Sequence, residues 1–256
     1  GRKPYIPSNV DGATDAYVRR ADGTNAAKEE CNDKFVELAT RRFEETGGTG
    51  TVLILDSEET TTSTKLMGAG IPGGHIHAPN FGQVAVDSLT SVGVNSNKEF
   101  LSDWIARTKV PPMIWWLDYC GTFDGNKGEG FYPSKDIESI FERNLIEDGS
   151  ILGLTVCRRG RSETQLTYDH TLGNWVTGRA APYGFTSNVI WTNSYGGGGI
   201  GSPMIMIVFE FHEVISKRKR TETGVKVEEV VEEAEPEPEV VEEEETVTVV
   251  PVPMKN

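Results

Sequence analysis

The chain has 256 residues, 37% of them hydrophobic and 25% charged, with a formal net charge of −14. Its apolar runs spread from about Phe35 to Phe211, enough for one core of useful size, and none approaches the roughly 20 residues that a membrane-crossing helix needs. The charge is unevenly placed: twelve Glu and two Lys follow Arg220, a net of −10, leaving −4 for residues 1–220, so general nucleic-acid binding has no extended basic surface to support it.

Residues 1–24 carry Pro4, Pro7, Gly12 and Gly23 among polar residues and read as an extended arm. From Asn25 to Glu45, Cys31, Phe35, Leu38, Ala39 and Phe43 recur mostly at three- and four-residue steps, which predicts an amphipathic helix. Gly47, Gly48 and Gly50 end it. Thr51 to Leu55 is then a continuous apolar run closed by Asp56, the pattern of a strand buried on both faces in a parallel sheet. A short helix over Thr60–Gly70, a short strand over His75–Ala78 and a helix over Phe81–Val92 follow. The next helix, Asn97–Thr108, puts Phe100, Leu101, Trp104 and Ile105 on one face, with Asn95, Ser96 or Asn97 as its cap.

Pro111-Pro112 breaks the chain before the most apolar strand, Met113–Leu117, which ends at Asp118. A helix over Ser134–Glu147 presents Ile137, Ile140, Phe141 and Leu145 inward, and Asp148-Gly149 turns it into a strand over Ser150–Val156. Two last strands, Thr186–Thr192 and Met204–Phe211, are separated by a glycine-rich turn at Gly196–Gly199, with no helix between them. Repeated strand–helix units demand a parallel sheet, and a terminal strand pair joined by a loop inserts one antiparallel strand. The expected fold is α/β over residues 25–216, a doubly wound, mostly parallel sheet with an antiparallel C-terminal hairpin. From Lys217 the Val/Glu/Pro repeats are too charged and too poor in apolar residues to pack, so 217–256 is expected to be a disordered acidic tail.

This element order resembles the class I S-adenosylmethionine-dependent methyltransferases. The discriminating part is the end: Ser150–Val156 behind Gly149, then Val189-Ile-Trp191 and Met204–Phe209, which look like that family's fifth strand and its sixth–seventh hairpin. Val52–Asp56 then resembles the first strand, His75–Asn80 the second, the stretch around Val94 the third and Met113–Asp118 the fourth. The family's glycine-rich loop corresponds to Asp56–Thr64, which has no glycine, and its ribose-binding acid falls at Asn80. The glycine motif is degenerate, and side chains occupy space that glycine leaves to a cofactor.

Ligands of open α/β sheets sit beyond the carboxyl ends of the strands, so Asp56, Asn80 and Asp118 are expected to converge on one crevice. The resemblance implies Asp56, Glu58 and Asn80 on the side of S-adenosylmethionine, with Asp118 aligning the methyl acceptor and Tyr119 beside it. Acids at strand ends also cap neighbouring helices, and that reading stands beside the functional one. Cys120 has no identifiable partner base and reads as an inert thiol before a nucleophile. His75 and His77 alternate and should share a face, but no third ligand accompanies them, and no metal is expected. Asp56, Glu58 and Glu59 suit a divalent cation by type, yet no phosphate loop of the G-x-x-x-x-G-K-[ST] form occurs. Trp115 and Trp116 are expected in the core on opposite faces. Arg158, Arg159 and Arg161 read either as an anion contact or as a solvated loop.

Two functions follow: a methyltransferase of unknown acceptor, or a cofactor-free scaffold of the same fold serving a protein partner. Three scattered cysteines outside any CxxC favour a reducing intracellular compartment, and Lys217–Arg220 resembles a short nuclear localisation signal, which leaves organelle and nucleus open. The chain begins at Gly1 without Met, so a targeting segment can lie outside this numbering, and localisation stays open.

Overall fold

The computed structural model describes residues 24–124, 132–158, 165–195 and 203–214, with the side chains of Thr24, Asn25, Cys120 and residues 165–170 outside that description. The expected arm before residue 24, the turn at Gly196–Gly199, Arg159 and Arg161, and the tail from Lys217 lie outside the described residues.

Helix α1 (Thr24–Glu45) leads into β1 (Val52–Ile54), α2 (Thr61–Gly68), β2 (Ile76–His77), α3 (Gln83–Ser91) and α4 (Leu101–Arg107). Then come β3 (Ile114–Thr122), α5 (Pro133–Glu142), β4 (Ile151–Cys157), α6 (Gln165–Ala180), β5 (Phe185–Tyr195) and β6 (Met204–Glu213). The strands form one sheet in the order β2-β1-β3-β4-β6-β5. The first four are parallel, β6 runs antiparallel to β4, and β5 pairs antiparallel with β6. The expected third strand near Val94 survives as two isolated parallel bridges, His77 to Asn95 and Asn80 to Lys98, along the outer edge of β2.

Alternation along the buried strands splits the core in two. Leu53, Trp115, Leu117, Leu152, Leu154 and Phe209 face α4, α5 and α6. Val52, Ile54, Ile114, Trp116, Ile151 and Val208 face α1, α2 and α3. The tandem tryptophans therefore pack on opposite faces, Trp115 edge-on to Trp104 and Trp116 against Phe35. Among the described residues neither indole N–H has a partner, a cost of about 1–3 kcal/mol each, outweighed by the roughly 4–6 kcal/mol from burying each ring. Trp116 also explains Gly153 on the neighbouring strand, where an added Cβ would lie 2.7 Å from the indole.

The structure corrects the expected elements in five places. β3 does not end at Asp118; its pairing with β4 continues, through an irregularity after Asp118, to Thr122 and Cys157. α4 starts at Leu101 because Asn97 and Glu99 are engaged by the Asn80 backbone, and its N-cap Phe100 makes no side-chain cap bond. α5 stops at Glu142, where Asn144 turns the chain with φ 54°. α6 was not expected: Gly173 and Gly178 weaken its propensity, and Leu172, Val176 and Ala180 at four-residue steps hold it by burial on the α5 side. His75 and His77 do not share a face, because His75 lies in a 3-10 turn. Its ring meets Phe43 on one side of the sheet, while the His77 ring meets Trp104 on the other. No described helix is long and apolar enough to cross a membrane.

Candidate functional site

The chain leaves β1 for β2 on one side and returns to β3 on the other, so the crossover direction reverses between β1 and β3. Such a switch point opens a crevice at the carboxyl ends of the strands. Ile54 is paired with Trp116, and Leu55 N–H donates to the Trp116 carbonyl at 2.9 Å. Asp56 and Asp118 each follow that pair by two residues and so stand level with each other on this side of the sheet.

The Asp56 carboxylate is built into the loop. One oxygen accepts from Ser57 N–H at 2.9 Å, and the other from Ser63 N–H at 2.8 Å and Ser63 Oγ–H at 2.6 Å. It thus satisfies an amide in the first turn of α2 that the helix cannot satisfy itself. In the glycine-free stretch, Thr60 takes φ 51°, the left-handed conformation that glycine adopts most cheaply, and its hydroxyl lies 3.2 Å from that of Thr64. Thr60, Thr62 and Ser63 are buried, and Glu58 is half-buried in the preceding turn. Side chains fill the place of the missing glycines while the backbone keeps one left-handed residue.

Asn80 joins Asp56. Its Nδ2 donates to the Asp56 carbonyl at 2.9 Å, and its Oδ1 accepts from Gly82 N–H at 2.8 Å. One further N–H and one lone pair belong to that amide. Asp118 is held differently, by Lys28 of α1 at 3.3 Å, with side chains 17% and 33% exposed respectively. Cys31, three residues on, has its thiol pushed up to about 12, first by burial and then by the Asp118 charge, which places that carboxylate against α1.

Tyr119 does not join this group. It points to the other face, where its hydroxyl donates to Asp136 of α5 at 2.8 Å and its ring is buried. Burial, then the Asp136 charge and bond, hold the phenol well above its ordinary value. Asp136 is raised from 3.8 to about 6 by burial, against the lowering effect of the Tyr119 bond.

Sequence reasoning missed Lys28, Ser63 and Asp136. Lys28 carried a readable signal: it lies one helical step before the buried stripe of Cys31, Phe35 and Leu38 and extends it toward the strand ends. Nothing in the spacing pairs Asp136 with Tyr119.

No protein-family profile matches the chain, and no curated protein matches its sequence significantly. Among solved structures, it is similar to the Burkholderia thailandensis 1,6-didemethyltoxoflavin-N1-methyltransferase with bound 1,6-didemethyltoxoflavin and S-adenosylhomocysteine. That match has a TM-score of 0.51 at 10% identity and covers 80% of this chain and 85% of the other. Weaker likenesses, which add no argument, are to the N-methyltransferase NodS of Bradyrhizobium japonicum WM9 (TM-score 0.47, 8% identity, 79% and 98% covered) and magnesium protoporphyrin IX methyltransferase of Synechocystis PCC 6803 (0.45, 11%, 78% and 92%). Sheet order, terminal hairpin and structural likeness together give this chain the fold of the class I S-adenosylmethionine-dependent methyltransferases.

Proposed function

We propose that this chain is an S-adenosylmethionine-dependent methyltransferase with its cofactor at the switch point between β1 and β3. The observation that carries the reading is the Asp118 carboxylate on β3, level with the loop after β1, where the Asn80 amide holds the Asp56 carbonyl. Asp118, whose side-chain partner among the described residues is the Lys28 ammonium, suits a ligand that carries its own positive charge. When bound, S-adenosylmethionine supplies an electrophilic methyl group on a positively charged sulfur.

The chain's own contribution is orientation and charge. Asp56 fixes the loop and the start of α2, and Asn80 ties the end of β2 to that loop, with Glu58 on the same side. Asp118 puts negative charge at the transfer centre. Tyr119 acts from beneath: through Asp136 it holds the first turn of α5 against β3 and so sets the wall beside the acceptor.

Isothermal titration of the full chain with S-adenosylmethionine and S-adenosylhomocysteine tests the reading. Saturable heat from both is expected. No heat from either at high micromolar concentration overturns it and leaves the scaffold reading, for which recovery of the tagged chain with a partner would be the next observation.

A further inference from the structure

Lys28 belongs to a helix whose buried stripe continues through Cys31, Phe35 and Leu38. Its ammonium is the only side-chain partner of Asp118 among the described residues. A carboxylate 17% exposed, with a single cation on a flexible stem, differs from one locked by fixed amides. It has given up much of its hydration, and what neutralises it can move aside.

We propose that Lys28 is an internal counter-ion that the cationic part of S-adenosylmethionine displaces from Asp118. The inference rests on the proposed function and deepens it by naming which group sets ligand selectivity. In the unliganded chain the Lys28 ammonium neutralises Asp118 and keeps a half-buried charge from standing alone. A ligand carrying its own positive charge at the crevice replaces that ammonium, which swings to water on its 33% exposed stem. A ligand with the same adenosine but no charge has nothing to offer Asp118 and leaves the pair intact. Ligand charge and Lys28 therefore compete for one carboxylate, and removing the competitor favours only the charged ligand.

The test compares S-adenosylmethionine with 5′-methylthioadenosine, which keeps the adenosine and a neutral sulfur, by titration calorimetry of the full chain. Lys28→Met, with Lys28→Gln as a second variant, is expected to tighten S-adenosylmethionine by about fivefold or more and leave methylthioadenosine unchanged. Asp118→Asn is expected to weaken S-adenosylmethionine and abolish the gain from Lys28→Met in the double variant. Equal shifts for both ligands, or no shift for either, overturn the displacement while leaving the cofactor reading intact. No binding of S-adenosylmethionine to the unaltered chain or to any variant overturns the cofactor reading itself.

Discussion

Asp56, just past β1, and Asp118, within β3, lie at the same height on neighbouring strands, and the two are held in opposite ways. Asp56 accepts three hydrogen bonds from Ser57 and Ser63, two of them from backbone amides that cannot leave. Asp118 faces one lysine from another helix at 3.3 Å. A carboxylate saturated by fixed donors belongs to the fold, and one neutralised by a movable cation can change partners. A residue type at a strand end thus decides little until its donors are known.

The comparison breaks first at Asp56. Asp56→Ala removes the acceptor for an amide of the first turn of α2 and leaves buried Ser63 without its partner. Bonds to a charged group of this kind support an expected loss of about 3 kcal/mol, read from the urea midpoint at constant slope. A loss no larger than that of Asp118→Asn would reverse the assignment of roles.

A third carboxylate sharpens it. Asp136 is half-buried against a neutral donor, the Tyr119 hydroxyl, and among the described residues neither fixed amides nor a cation offset its desolvation. Its folded-state value of about 6 lies above the ordinary 3.8, so the folded chain binds the proton more tightly than the unfolded one. The stabilisation is full below about pH 4 and is lost as pH rises through about 6. Asp136→Asn keeps an acceptor for Tyr119 and removes the charge. The variant should be more stable than the parent at pH 8, by on the order of 2 kcal/mol, with the difference shrinking toward pH 4. A difference independent of pH would show that Asp136 is not the titrating group.

These contrasts mark how far the sequence could be read. Continuous apolar runs such as Thr51–Leu55 and Ser150–Val156 gave buried parallel strands, and the tandem tryptophans divided between faces, because strand alternation is a local rule. α6 was not legible, since Gly173, Gly178 and its threonines argue against a helix. What holds it is tertiary: Val176 and Ala180 under the sheet, and the Thr177 hydroxyl 2.8 Å from that of Ser187. The convergence of Asp56 with Asn80 followed from strand order, whereas Tyr119, expected beside Asp118, lies on the opposite face because β3 runs past Asp118. The partners of those residues did not follow. Ser63, Lys28 and Asp136 reach them across seven, 90 and 17 residues respectively, and spacing carries no record of such contacts.

The smallest expected effect lies at Asp118, and its smallness is the point. Asp118→Asn preserves shape, and the Lys28 ammonium it releases is 33% exposed and can be hydrated where it stands. Ion pairs of this kind contribute about 0.5 kcal/mol, so stability should fall by only that amount. The difference between parent and variant should narrow further at high salt, because what is lost is Coulombic attraction at a partly hydrated site. Denaturant midpoints at low and high salt measure both quantities. A loss comparable to that of Asp56→Ala would make Asp118 a second structural carboxylate, too firmly held to exchange one cation for another.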